Sequence, residues 1–179
     1  MAYWREVGAM NDLLIQRSAV ISDCGTWRYR LERDMNRPGR VAAGIMVNPS
    51  DADHEVDDAT IRKWFGFADR LDIGRFIIGN KFAFRSRYVS MLQGADEPVG
   101  PDNDRHLEQI MRDADLHIVA WGPVAKLPRG PLRQRWRDVV AIAARVGCPL
   151  YCWGTAGDGH PFHPLMLRYS LPLVPWVAP

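Results

Sequence analysis

Arg40-Val41-Ala42-Ala43-Gly44-Ile45-Met46-Val47-Asn48-Pro49-Ser50 is the stretch that decides the fold of this chain. From Val41 to Val47 it is small, apolar and partly β-branched, the composition of a buried strand, and Pro49 cannot continue a ladder. The strand therefore ends in a polar loop, followed by the acidic segment Asp51 to Asp58. In open α/β sheets ligands lie in the crevice beyond the carboxyl ends of strands, which makes Asn48-Pro49-Ser50 the first place to look for chemistry.

The chain has 179 residues, 47% hydrophobic and 25% charged, which fits one globular domain able to bury its own core. No apolar run has the ~20 residues that span a bilayer, and Met1 to Asp12 lacks the pattern of a secretion signal. A soluble, cytoplasmic monomer is expected, with no membrane contact. Cys24, Cys148 and Cys152 lack a companion pair of ligands for zinc and read as reduced core thiols, so neither metal nor disulfide is expected. The net charge is only +2, but lysine occurs only at Lys63, Lys81 and Lys126 and the other cations are arginines. The planar arginine fork suits phosphate oxygens, a mild pointer to nucleic acid that GC-rich coding also produces.

Outward from the opening stretch, Ala19 to Ile21 and Thr26 to Leu31 read as a hairpin around Ser22-Asp23-Cys24-Gly25. Strict alternation puts Trp27, Tyr29 and Leu31 on one face and arginines on the other. Met1 to Arg17 is weakly patterned, either a short helix or a loose end. After Ser50, Asp57 and Asp58 stand where an N-cap belongs, ahead of Ile61, Trp64, Phe65, Ala68 and Leu71 at helical spacing. Arg75 to Asn80 is a second buried strand ending in asparagine. Leu107, Ile110, Met111 and Ala114 trace a second helix before a third strand, Leu116 to Gly122. Pro131 opens a further helix with a stripe from Val139 to Val146, and Pro149 to Trp153 is a fourth strand running into a loop with His160 and His163.

Alternating strands and helices predict right-handed crossovers and an α/β fold. The expected form is a three-layer α/β/α sandwich with a mainly parallel four-stranded central sheet, an N-terminal hairpin at about residues 19–33 and a core at about 40–168. Asn48, Asn80, Trp121-Gly122 and His160/His163 then gather along one rim.

These strand ends, in this order, resemble the uracil-DNA glycosylase superfamily. Val47-Asn48-Pro49-Ser50 resembles its GINPG first motif, Phe76 to Asn80 its LLLN segment, Ile118 to Lys126 its LLWGxxAxK segment and His163-Pro164-Leu165 its HPSP loop. The chain is also similar to a bacterial and phage domain family carrying Asn48-Pro49-Ser50, Asp57-Asp58-Ala59-Thr60-Ile61, Val99 to Asp104 and His163-Pro164-Leu165, a family with no chemistry to carry over.

The first resemblance implies a monofunctional DNA glycosylase without cofactor, extruding a nucleotide and hydrolysing its N-glycosidic bond to leave an abasic site. Asn48 matches the water-positioning residue, and since an amide is a poor base, Asp51 or Asp53 is the candidate to assist it. Asn80 matches the residue that reads the base edge. His163 matches the histidine that donates to the departing base oxygen, with His160 as the alternative. Leu165 and Met166 would fill the vacated stack, and Arg85, Arg87, Arg129, Arg133 and Arg168 would contact phosphates. No aromatic aligns clearly with the residue that stacks on the base; Phe82, Phe84 and Trp64 are candidates. Ser50 stands where uracil-specific members have a bulky block, which points to a modified or damaged pyrimidine, and by extension to bulky 5-modified bases of phage DNA. Two other readings fit the same residues: a nucleotide or nucleoside hydrolase acting on free molecules, although no Walker or GxGxxG phosphate loop is present, and a non-catalytic DNA-binding module.

Overall fold

The computed structural model describes residues 14–50 and 52–179. The strands are β1 (Gln16–Ile21), β2 (Arg28–Asp34), β3 (Arg40–Met46), β4 (Ile73–Asn80), β5 (Leu116–Val119), β6 (Tyr151–Cys152) and β7 (Val174–Pro175). Between them lie helices α1 (Ala59–Arg70), α2 (Asn103–Arg112) and α3 (Trp136–Val146), with single 3-10 turns at Val89–Gly94, Val124–Lys126, Pro131–Gln134 and Pro164–Met166. Among the described residues all seven strands form one sheet in the order β1-β2-β4-β3-β5-β6-β7.

The fold is α/β as expected, but the sheet is mixed rather than mainly parallel and four-stranded. β4, β3, β5 and β6 run parallel to one another, while β1 and β2 on one side and β7 on the other are antiparallel additions. The hairpin forms one edge of the sheet: Leu31 to Asp34 of β2 pair with Arg75 to Ile78 of β4. The proline-rich tail supplies β7, with Trp176 donating its backbone N–H to the Leu150 carbonyl at 2.8 Å. Pro175 is tolerated because β7 lies at the sheet edge.

Period-2 patterning on the strands and period-3.6 patterning on the helices give the sheet two buried faces. Ala42, Phe76, Ile78, Ile118 and Ala120 pack with Ile61, Trp64 and Phe67 of α1. Ala43, Ile45, Ile77, Val119 and Trp121 pack on the other face with Leu107 and Ile110 of α2 and Val139 and Ile142 of α3. Gly44 has a reason to be glycine: a Cβ there would lie 2.5 Å from Cζ2 of Trp64, whose indole crosses β3 at that point. Asp58 caps α1, its Oδ1 accepting from the Ile61 N–H at 2.8 Å. Pro131 opens a 3-10 turn, and α3 proper begins at Trp136 and ends in left-handed Gly147.

The expected alternation along β2 fails at Tyr29. Val20 pairs with Arg30 and Ile21 with Arg28, so Tyr29 is the extra residue of a β-bulge. Tyr29 and Arg30 consequently share the α2 face, where Tyr29 stacks on His106 and Arg30 pairs with Asp113. Arg28, Leu31 and Arg33 share the α1 face, and both of these arginines are buried.

The cysteines are free thiols, but Cys24 is no core residue: it is exposed in the hairpin turn, where hydrogen bonds with Ser22 and Thr26 lower its pKa to about 7. The proposed short helix or loose end at the N-terminus falls largely on residues 1–13, outside the described residues, while Gln16 and Arg17 already belong to β1. Among the described residues no helix is long and apolar enough to cross a membrane.

Candidate functional site

Beyond the carboxyl ends of β3 and β4 lies a cavity of about 240 Å³ lined by Arg28, Met46, Asn48, Ser50, Asp58, Thr60, Arg87 and His163, among others. A second cavity of about 260 Å³, lined by Trp121, Gly122, Pro123, Lys126 and Leu165, shares Val47, Val89 and His163 with the first. The two form one crevice with His163 at the junction. Parallel strand order brings these residues together: β3 delivers Asn48, the β5 end delivers Trp121-Gly122, and the loop after β6 delivers His163.

Asn48 is fixed by its own donors. Its Nδ2 donates to the carbonyls of Ser86 at 2.7 Å and Pro49 at 3.1 Å, which assigns the amide orientation. Oδ1 is then the acceptor left for a ligand or a water. Ser50 donates its hydroxyl to Oδ2 of Asp58. Asp58 thus combines two tasks, capping α1 and placing a carboxylate at the crevice wall.

His163 accepts from the Leu165 N–H through Nδ1 at 3.4 Å, so the neutral ring carries its proton on Nε2. Burial lowers its pKa below the ordinary imidazole value; the Lys126 charge adds to this and Asp58 opposes it. At neutral pH the ring is a donor without charge. His160 lies deeper, its Nδ1 accepting from the Trp121 indole at 3.4 Å and its ring edge-on to Trp136. It holds the loop that presents His163.

Of the remaining predicted residues, Asp53 forms a turn of its own, its Oδ1 accepting from the N–H groups of Glu55 and Val56, bonds that lower its pKa. Asp51 lies outside the described residues. Phe82 is fully buried in a cluster with Leu92 and Leu127, beneath Val47 and Val89 of the crevice floor. Trp64 is core. Asn80 is also buried, and neither Nδ2 nor Oδ1 has a partner among the described residues. Arg87 is exposed at the crevice, and Arg129 and Arg168 are exposed elsewhere. Arg133 is committed to the carbonyls of Ala125 and Leu127, and Arg85 donates to the Gly25 carbonyl. Leu165 and Met166 are solvent-exposed, Met166 at 88%. Among the described residues no cluster of three or more His, Cys, Asp or Glu side chains is placed to hold a metal.

Sequence reasoning missed two residues of the site. Asp58 was legible only as a helix cap. Arg28 read as one member of the arginine face of the hairpin; it is 2% exposed, and the bulge aims it into the crevice. Lys81 was also unassigned. Its amine is buried beside the rings of Trp121 and Phe82 without a hydrogen-bond partner among the described residues, and burial lowers its pKa to about 7.

Fold and site together define an α/β domain with a polar crevice at the carboxyl edge of its parallel strands. The chain belongs to the DUF1643 family, described as a protein of unknown function, which it matches over residues 28–165. That span begins at Arg28 and ends at Leu165, so it contains every residue named above as lining the crevice. No curated protein and no solved structure matches the chain.

Proposed function

We propose that this protein is a monofunctional DNA glycosylase that hydrolyses the N-glycosidic bond of a flipped, modified or damaged pyrimidine and leaves an abasic site. The observation that carries the reading is the meeting of Asn48, Asp58 and His163 at one crevice. Such a reaction needs a positioned water, a counter-charge for an oxocarbenium-like sugar and a donor for the base oxygen that becomes negative. Asn48 Oδ1 holds the water. The Asp58 carboxylate faces the cationic sugar and takes the proton that water loses as its oxygen bonds to C1′. The bond electrons leave with the base, whose oxygen accepts from Nε2 of neutral His163.

Exposed Leu165 and Met166, beside His163, supply the apolar wedge for the vacated stack, and Arg87 at the crevice mouth and Arg168 beyond the wedge contact the backbone. The small Ser50, turned toward Asp58, leaves space beside the pyrimidine 5-position, which extends the substrate class to bulky 5-modified bases of phage DNA.

The test is incubation with single- and double-stranded DNA carrying uracil, mismatched thymine or 5-modified pyrimidines, followed by alkali. Strand scission on a modified substrate, lost in Asn48→Ala and His163→Ala with folding retained, is expected. Turnover of free nucleosides only, or salt-dependent DNA binding with no abasic product, overturns it. In magnitude, each substitution removes one catalytic interaction and is expected to lower turnover by ~100-fold or more.

A further inference from the structure

Arg28 and Arg33 lie five positions apart on the same face of β2, both buried, and their surroundings differ in one respect. Arg33 is saturated: Nε donates to Asp57, one terminal nitrogen to the Glu32 carbonyl and the other to the Asp53 carbonyl. Arg28 donates one terminal nitrogen to the Ala52 carbonyl, and its buried Nε has no partner among the described residues. Among the described residues no carboxylate lies within ion-pair distance of it. A buried guanidinium donor without an acceptor is costly, and the few such groups in a folded protein call for a ligand or water.

The cavity offers the place for one. A water occupies about 30 Å³, so the cavity of about 240 Å³ takes a group of phosphate or carboxylate size with room for the atom that carries it. Its other polar lining sets the Thr60 hydroxyl and the His163 ring, as donors, beside the Asn48 amide oxygen and the Asp58 carboxylate. The charged groups around Arg28 are Asp58 and Asp53 against Arg33 and Arg85, and Arg33 is already neutralised by Asp57.

We propose that Arg28 anchors an oxyanion subsite at the floor of this crevice, taking a phosphate or carboxylate group through Nε and the fork beside it. A planar guanidinium binds such groups with charge-assisted hydrogen bonds. In terms of chemistry the ligand is a nucleotide phosphate or a pyrimidine bearing an acidic substituent. The subsite does not depend on bond cleavage, so an inactive protein that binds the anion leaves it standing.

The experiment is a titration of the full chain with inorganic phosphate and with acetate, followed by the NMR resonance of the Arg28 Nε–H and by calorimetry. A saturable shift of that resonance is expected with at least one anion, together with binding about 10- to 100-fold weaker in Arg28→Gln. Arg28→Lys keeps the charge and loses the fork, and is expected to bind weakly too. Displacement by a nucleoside 5′-monophosphate identifies phosphate as the natural group, and displacement by a 5-carboxypyrimidine nucleoside identifies the carboxylate. An Arg28 resonance that moves with neither anion, or anion binding unchanged in a folded Arg28 variant, overturns the subsite. The resonance is read on the unsubstituted protein, so the outcome stands even where the variants do not fold.

Discussion

Asn48 shows how a side chain's neighbours decide what it has left to offer. Both donors are taken by the Pro49 and Ser86 carbonyls, so replacing the amide with a carboxylate, which in isolation looks like a gain of basicity, turns two attractions into repulsions. Asn48→Asp is expected to lower stability by about 1–3 kcal/mol, seen as a lower denaturant midpoint, and to yield less activity rather than more. Three partly or fully buried histidines set the acid limit. His106, His160 and His163 all have pKa values lowered chiefly by burial, against about 6.5 for an unfolded imidazole. As pH falls below that value the unfolded chain takes up protons first, so this stability, complete above about pH 6.5, is lost as pH falls through the folded values. Melting temperature measured from pH 7 to 4 should decline accordingly. Lys81 acts in a different window: its amine is lowered from 10.5 to about 7, so stability falls as pH drops from the first value toward the second. Lys81→Met should flatten the dependence of melting temperature on pH across that range and raise stability at neutral pH.

At the scale of elements, period and punctuation were legible and register was not. The apolar run Val41 to Val47, stopped by Pro49, is a strand that ends where expected, and Asp58 caps α1 as its position before Ile61 and Trp64 implied. The bulge was illegible because an extra residue leaves composition unchanged and appears only when β2 is paired with β1. β7 was hidden by its prolines, which argue against a central strand but not against an edge. The packing of α1 on β3 has a sharp requirement at Gly44. Gly44→Ala puts a methyl into the Trp64 indole and is expected to cost about 1–3 kcal/mol, measured by chemical denaturation, with crevice residues otherwise untouched.

For the whole molecule, the crevice is assembled from segments near both ends of the chain, Arg28 at one and His163 at the other, around a frame set by β3, β4 and β5. Asn48, Ser50 and His163 were legible as site residues because each follows a recognisable strand end. Arg28 and Asp58 were not, since a charged residue in a strand or before a helix has a more ordinary explanation at the surface or as a cap. The tail reaches the site indirectly: Trp176 packs edge-on against Trp121, at 5.2 Å, and donates its indole N–H to the Gly159 carbonyl at 3.1 Å, tying down the loop that carries His160 and His163. Trp176→Ala is expected to lower stability by about 3–5 kcal/mol and to speed hydrogen exchange in residues 154–163, read by mass spectrometry.

The bulge at Tyr29 also governs which changes of length the hairpin tolerates. Removing Tyr29 would restore regular pairing of Arg30 with Val20 and Arg28 with Ile21 and leave Arg28 pointing into the crevice, at the cost of the stack on His106. Removing Leu31 or Glu32 with the bulge retained would instead invert the strand on one side of the gap, turning either Arg28 or the Arg33 anchor through the sheet. Single-residue deletions through this segment should therefore be unequal in effect, with the bulged pair Tyr29 and Arg30 the positions at which a gap keeps both buried arginines and Leu31 in their directions.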